Sequence, residues 1–97
     1  MGKRDKLQPN EIAGFLEAHA GWAVDGNALA RTFEHPSYPA GVAFAVEVAF
    51  AAEKRDHHPD LHLGYRKTTV RWTTHDAGGI TAVDVEMAET SDRLHRA

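Results

Sequence analysis

The spacing of apolar residues near the start of this 97-residue chain is helical. Ile12, Phe15 and Leu16 lie three and four positions apart, which places their side chains on one face of an α-helix. Asn10 is a residue type that commonly caps a helix N-terminus. The pattern therefore predicts a first helix over residues 10–20, with Asn10 as its N-cap.

The next stretch predicts a β-hairpin. Two short segments, residues 22–24 and 28–33, flank the sequence Asp-Gly-Asn at residues 25–27. An Asp-Gly pair between two such segments is a strong signal for a tight turn. We therefore expect two antiparallel strands joined by this turn.

The longest apolar stretch predicts a second helix, over residues 38–55. Residues 40–52 carry only one charged side chain, Glu47, and Ser37 with Pro39 forms a favourable helix start. The helix would be roughly 25 Å long. A helix that is apolar on nearly all sides must be covered on more than one side. We therefore expect one face to pack on a sheet and another on a second subunit.

A second hairpin follows. Residues 60–65 and 68–74 flank a Tyr-Arg-Lys turn, and Val70 and Trp72 alternate with polar residues in the second segment. This alternation is typical of an antiparallel strand with one buried and one polar face.

The C-terminal segment predicts a third helix. Thr81 and Asp84 form a capping box, and Val83, Met87 and Leu94 share the inward face. The element order is then α-β-β-α-β-β-α. It predicts an α+β two-layer sandwich, a four-stranded antiparallel sheet with helices on one face.

Composition restricts the class of protein. The net charge of −3 disfavours direct binding to nucleic acid, and the lack of cysteine excludes disulfides and cysteine-ligated metals. No apolar run approaches the roughly 20 residues of a membrane span. We expect a cytoplasmic protein with a flexible tail over residues 1–8 and one domain over residues 9–97.

Candidate catalytic residues concentrate just after the apolar helix. Residues 53–60 read Glu-Lys-Arg-Asp-His-His-Pro-Asp. In an antiparallel hairpin, the start of one strand lies beside the end of its partner. We therefore expect His75 to lie near His57 and His58, with Glu53 placed to orient the His57 ring.

Each of these residues also has a structural interpretation. A pair of histidines at a helix C-terminus is favourable to the helix dipole and is often merely solvated. Asp84 serves first as a helix cap, and His75 alone would be an ordinary loop residue. Four further histidines show no partner pattern, and we expect them on the surface: His19, His35, His62 and His95.

A metal centre is the main chemical alternative, because histidines with a carboxylate are suitable ligands for zinc or non-haem iron. However, Pro59 separates His58 from His62, so these two cannot share one helical face. We expect no bound metal. General acid–base chemistry needs only imidazoles that exchange protons near neutral pH.

The spacing of these residues resembles the signature of the pterin-4a-carbinolamine dehydratases. The matching pattern is Glu53-x3-His57-His58-Pro59-x5-Tyr65-x9-His75-x8-Asp84. The likeness extends to Gly21-Trp22, to Arg31-x-Phe33, to the apolar helix before Glu53 and to Thr74-His75-Asp76-x-Gly78-Gly79. The resemblance implies the α-β-β-α-β-β-α sandwich, assembled as a homodimer or homotetramer through the 38–55 helix and an edge strand.

The implied reaction converts 4a-hydroxytetrahydropterin to quinonoid dihydropterin and water, in tetrahydrobiopterin recycling. The pterin is the substrate, and no cofactor is expected. By resemblance, His57, His58 and His75 are the catalytic histidines. We assign His57 and His75 to the acid–base pair and His58 to holding the substrate.

The resemblance also implies supporting roles. Glu53 would orient an imidazole, Asp84 would support the His75 loop, and Asp60 would hydrogen-bond the pterin ring. Leu61 departs from the tryptophan of animal members, which changes one wall of the pocket. The alternative function is a non-enzymatic module for protein binding or dimerisation, resembling a transcriptional coactivator. A histidine-liganded metal enzyme is less favoured.

Overall fold

The computed structural model describes residues 5–96. The helices are α1 (Pro9–Ala18), α2 (Tyr38–Arg55) and α3 (Ala82–Leu94). The strands are β1 (Ala23–Asp25), β2 (Ala28–Glu34), β3 (Asp60–Gly64) and β4 (Lys67–Trp72). A short 3-10 turn, His75–Ala77, precedes α3. The predicted order of helices and strands is therefore confirmed.

The four strands form an antiparallel sheet in the order β1-β2-β4-β3. β2 and β4 are central, and β1 and β3 form the edges. Successive residues of a strand point to opposite faces. Val70 and Trp72 of β4 lie in the core with the helices, so Thr69 and Arg71 lie on the open face. The predicted α+β sandwich, with helices on one face of the sheet, is confirmed.

A hydrophobic cluster fills the space between the sheet and the helices. Its buried members are Phe15, Trp22, Leu29, Phe33, Phe44, Val48, Ala52, Val70, Trp72, Ile80, Val83, Met87 and Ala88. At its edge, Asp92 of α3 accepts hydrogen bonds from Trp22 Nε1 at 3.0 Å and from Arg31 Nη1 at 2.7 Å. These two contacts join the first hairpin to the last helix.

The start of α1 differs from the prediction. The helix begins at Pro9, and its N-cap is Gln8 rather than Asn10. Proline suits the first helical turn because its missing N–H would have no partner there. Glu11 Oε1 then accepts the Gln8 N–H at 2.8 Å, which completes the cap.

The predicted N-terminal tail is too long. Residues 1–4 lie outside the described residues, but Lys6 pairs with Thr81 in an antiparallel bridge. Leu7 donates its N–H to Ile80 O at 2.9 Å, and its side chain packs against the core. The contacts of the domain therefore begin before Pro9, because this segment is anchored beside the start of α3.

α2 has the predicted bounds, and Ser37 Oγ accepts the Ala40 N–H at 3.2 Å as its cap. Residues 5–96 leave part of its apolar surface uncovered: Val46 is 48% exposed and Phe50 is 73% exposed. None of the helices in the described range is long and apolar enough to cross a membrane.

Three of the four histidines expected on the surface are buried or half-buried: His19, His35 and His95. His35 is buried, and its Nε2 bonds to Thr68 Oγ1 at 3.0 Å. Burial, and then the charge of the neighbouring His95, lower the pKa of His35 below its ordinary value. The His95 ring packs on Phe33 at 5.0 Å and is half-buried. The apolar residues that cover His35 and His95 belong to α2 and β2. The sequence next to each histidine gave no sign of these contacts.

Candidate active site

The end of α2 determines where His57 lies. The helix stops at Arg55, and Asp56 takes the left-handed conformation with φ 55°. The His57 N–H then returns to Ala52 O at 3.1 Å, which closes the helix end. As a result, the chain turns back toward α3 before β3 begins.

His57 forms a short hydrogen bond with Asp84 of α3. His57 Nε2 lies 2.6 Å from Asp84 Oδ1, and the two side chains are 6% and 0% exposed. The imidazole also lies parallel to the Trp72 indole, with ring centroids 5.9 Å apart and planes within 8°. The ring is therefore fixed by a hydrogen bond at one edge and an aromatic surface on one face.

This contact assigns the His57 tautomer. An Asp84 carboxylate only accepts hydrogen bonds, so the shared proton belongs to His57 Nε2. His57 Nδ1 makes no hydrogen bond within residues 5–96, yet every buried polar side-chain atom described there has a partner. Nδ1 therefore keeps contact with solvent, and it is the nitrogen of His57 that can exchange a proton with a bound molecule.

Asp84 accepts several other hydrogen bonds. Its Oδ2 accepts from Thr74 Oγ1 at 2.8 Å and from the Thr81 N–H at 2.8 Å. The capping role predicted for Asp84 is therefore confirmed, and the same carboxylate also holds His57. A buried carboxylate is costly unless it is hydrogen-bonded, and here both oxygens have donors.

His75 follows directly after Thr74, in the 3-10 turn that leads to α3. The Thr74 backbone shapes this turn: its N–H donates to Gly79 O at 3.0 Å, and its C=O accepts the Gly78 N–H at 3.0 Å. Gly78 has φ 72°, which glycine adopts without strain. The structure thus links the His75 turn to His57 through Thr74 and Asp84.

Glu53 has a different partner from the one expected. Its Oε1 lies 2.8 Å from Nε2 of His58, not of His57, and both side chains are largely exposed, at 80% and 58%. The left-handed Asp56 breaks the helical spacing, so the residue four positions after Glu53 no longer lies above it. An exposed pair of this kind contributes at most about 1 kcal/mol to stability.

Asp60 lies apart from His57. In the register of β3 with β4 it faces Arg71, and its Oδ2 is 3.7 Å from Arg71 Nη1. Arg71 also bonds to Asp25 at 3.1 Å on the open face of the sheet. Since Trp72 and His57 lie toward the helices, the structure does not bring Asp60 together with the His57–Asp84 pair.

Sequence reasoning missed three residues around His57. Thr74 was placed in a strand and in the family likeness beside His75, but it was given no role in the site. Trp72 was expected in the core, which is correct, but its contact with His57 was not foreseen. Ser91 accepts the Trp72 Nε1–H at 3.1 Å and donates to Met87 O at 2.8 Å, which fixes the indole from behind.

No group of three or more histidine, aspartate or glutamate side chains suited to a metal ion occurs within residues 5–96. A cavity of about 240 Å³ lies near the N-terminal end of α2, lined in part by His35, Phe44 and Leu94. It does not include the three candidate histidines. The hydrogen-bond geometry around Asp84, rather than cavity size, therefore identifies the candidate site.

This chain is similar in sequence to one known family of proteins. The sequence model of the family described as "Pterin 4 alpha carbinolamine dehydratase" matches residues 5–94. A provisionally named pterin-4-alpha-carbinolamine dehydratase of Roseiflexus sp. (strain RS-1) is 44% identical over 89 residues, covering 92% of this chain and 96% of that protein. A relative with the same provisional name, from Natronomonas pharaonis, is 47% identical over 90 residues, covering 93% and 96%.

Two solved structures have a fold similar to that of this chain. A transcriptional coactivator/pterin dehydratase from Brucella melitensis superposes with a TM-score of 0.86 at 33% identity, covering 93% of this chain and 98% of that one. A pterin dehydratase-like protein described as a RuBisCO assembly factor superposes with a TM-score of 0.64 at 22% identity, covering 78% and 90%, a likeness of fold alone. The match over residues 5–94, together with these relatives, shows that the chain belongs to the pterin-4a-carbinolamine dehydratase family.

Proposed function

We propose that this protein is a hydro-lyase that converts a 4a-hydroxytetrahydropterin to quinonoid dihydropterin and water. The observation that carries the proposal is the 2.6 Å hydrogen bond between His57 and the fully buried Asp84, which Thr74 extends to the turn bearing His75. Family membership supports the reaction class.

The reaction needs one acid and one base. The carbon–oxygen bond of the carbinolamine breaks, and the departing hydroxyl takes a proton to leave as water. The adjacent ring nitrogen loses its proton, and the electron pair on that nitrogen forms the new carbon–nitrogen double bond. In each turnover the acid therefore loses one proton and the base gains one. Proton transfer to and from solvent then returns both groups to their starting state.

Imidazoles suit this exchange because they gain and lose protons near neutral pH. In the proposed site, His57 presents Nδ1, while Asp84 at Nε2 stabilises the ring when it becomes an imidazolium. His75, exposed on its turn, supplies the second acid–base group. His58, with Glu53 as its partner, holds the substrate.

The metabolic role of the protein and its affinity for the pterin are part of the same proposal. Recycling of tetrahydrobiopterin is the role that the family resemblance implies, and the cytoplasm is the compartment that we propose for it. Leu61 lies on β3 and is partly exposed. Since animal members carry a tryptophan at this position, we expect a different affinity for the pterin rather than a different reaction.

The proposal is tested by generating 4a-hydroxytetrahydropterin with an aromatic amino-acid hydroxylase and following its dehydration by absorbance. Catalytic amounts of the wild-type protein should accelerate the decay in proportion to their concentration. A decay rate equal to that in buffer, or in the same concentration of free imidazole, would overturn the proposal.

A second candidate function rests on exposed apolar side chains of α2 and of the β3 edge. Besides Val46 and Phe50 of α2, this surface includes Leu61 and Leu63 of β3 and Tyr65 just after that strand. We propose that this surface forms a homodimer or homotetramer through the 38–55 helix and the edge strand. The Brucella melitensis relative is described as a transcriptional coactivator as well as a pterin dehydratase, which makes binding of another protein the alternative.

Sedimentation of wild type and of Phe50→Asp, with Thr69→Asp on the open face as the control, tests this assembly. Dissociation to a monomer in Phe50→Asp alone would support it. A wild type that sediments as a monomer would overturn it.

A further inference from the structure

We propose that Thr74 is a positioning residue whose hydroxyl couples the His75 turn to the His57 imidazole through Asp84. The rate effects that follow rest on the proposed dehydratase function. The coupling itself is a property of the folded chain and can be measured without any substrate.

The direction of the hydroxyl hydrogen bonds follows from their partners. Thr74 is fully buried, and its only hydroxyl proton goes to Asp84 Oδ2 at 2.8 Å, because a carboxylate accepts. Thr81 Oγ1 lies 2.9 Å from Thr74 Oγ1 and 3.4 Å from Asp84 Oδ2. Thr81 therefore donates to Thr74, Thr74 donates to Asp84, and Asp84 accepts from His57.

This chain fixes the orientation of the carboxylate. Oδ2 is held by Thr74 and by the Thr81 N–H, so Oδ1 is left pointing at His57 Nε2. Trp72 limits the His57 ring on one face. A small rotation of Asp84 would therefore move the imidazole or lengthen its 2.6 Å bond.

The backbone of Thr74 acts on the other histidine. Its N–H and C=O close the turn with Gly79 and Gly78, and His75 is the first residue of that turn. Thr74 is thus bonded through its side chain to the group that holds His57 and through its backbone to the segment that carries His75. A change in its side-chain bond is transmitted to both rings.

The test compares Thr74→Val, which replaces the hydroxyl by a methyl group of similar size, with Thr74→Ser, which keeps the hydroxyl. Thr69→Val is the matched control, because Thr69 bonds to the hydroxyl of Thr32 at 2.8 Å on the open face of the sheet. The readouts are kcat and KM for dehydration and the ring ¹⁵N chemical shifts of His57 and His75.

We expect Thr74→Val to lower kcat by roughly tenfold or more with KM changed by less than about twofold, since the lost contact orients reacting groups. Thr74→Ser should stay within about threefold of wild type, and Thr69→Val should match wild type. The ¹⁵N shifts of both rings should move in Thr74→Val and remain in place in Thr69→Val.

Unchanged His57 shifts in a folded Thr74→Val protein would overturn the coupling, whatever the activity. Shifts that move as expected in a protein without dehydratase activity would uphold the coupling and reject the proposed reaction. Thr74→Ala provides a second hydroxyl-free variant with no added bulk. If neither it nor Thr74→Val folds while Thr74→Ser does, the hydroxyl is a structural requirement, and the positioning role is rejected.

Discussion

The His57 imidazole donates its Nε2 proton to Asp84 Oδ1 across 2.6 Å, at the point where the end of α2 meets the start of α3. The carboxylate that accepts this hydrogen bond also caps α3 and accepts a hydrogen bond from Thr74. One buried group therefore serves helix formation, ring orientation and the placement of the second hairpin. Substitution of Asp84 should therefore affect both the stability of the fold and the rate of the reaction, and the two effects can be measured independently.

Asp84→Asn should lower the dehydration rate by about 10²-fold or more while the protein still folds. The amide keeps an oxygen that can cap α3, but it lacks the charge that stabilises an imidazolium at His57. Measurement of kcat beside urea unfolding separates the two effects. Asp25→Asn, a carboxylate exposed at the first hairpin, is the control and should leave kcat unchanged. Equal rates for Asp84→Asn and wild type would contradict a catalytic role of the His57–Asp84 contact.

His35 should make the protein less stable as the pH falls. Burial, and next the charge of His95, lower the folded-state pKa of His35 below the ordinary value of 6.5. Below pH 6.5 the unfolded chain binds a proton that the folded chain does not, so this part of the stability is present above 6.5 and is lost as the pH falls toward the folded-state pKa.

The measurement is the free energy of unfolding of wild type and of His35→Gln across this range of pH. At neutral pH, His35→Gln should have a lower free energy of unfolding than wild type. The difference between the two proteins should become smaller as the pH falls. Thr69→Val, which removes no ionisable group, is the control and should differ from wild type by a constant amount. A constant difference for His35→Gln as well would show that His35 does not titrate differently in the fold.

Gly21 should tolerate no side chain. Its φ is 96°, and an added Cβ would lie 2.7 Å from Arg31 Nε, on the guanidinium that bonds to Asp92. We expect Gly21→Ala to lower the free energy of unfolding by about 1–3 kcal/mol. Gly14→Ala, in α1 with open space around its Cβ, should be neutral or stabilising by up to about 1 kcal/mol. Equal thermal midpoints for the two variants would contradict this account.

The fold followed from residue spacing because its main elements are strongly patterned. The apolar run of α2 and the alternation around Val70 and Trp72 predicted a long helix and a half-buried strand, and the structure contains both. The errors concerned where individual helices and strands begin and end. β4 stops at Trp72 because Thr73 bonds to Asn27 O at 2.6 Å and Thr74 bonds to Asp84 instead of continuing the ladder.

The site was less predictable because its key contacts depend on one backbone conformation. Helical spacing suggested that Glu53 orients His57. However, the left-handed Asp56 redirects the chain, and Glu53 forms its hydrogen bond with His58 instead. The His57–Asp84 contact joins positions 27 residues apart, and the family resemblance assigned Asp84 to the His75 loop rather than to His57. No local pattern distinguishes a buried histidine such as His35 from a surface one.

The proposed roles of His57 and His75 are tested by the rate at which His57→Ala and His75→Ala dehydrate enzymatically generated 4a-hydroxytetrahydropterin. His62→Ala serves as the control, since His62 lies exposed on the opposite face of the sheet. We predict a loss of about 10²-fold or more in each of the first two variants and less than about twofold in the control. Full activity in His57→Ala or His75→Ala would contradict acid–base catalysis by this pair.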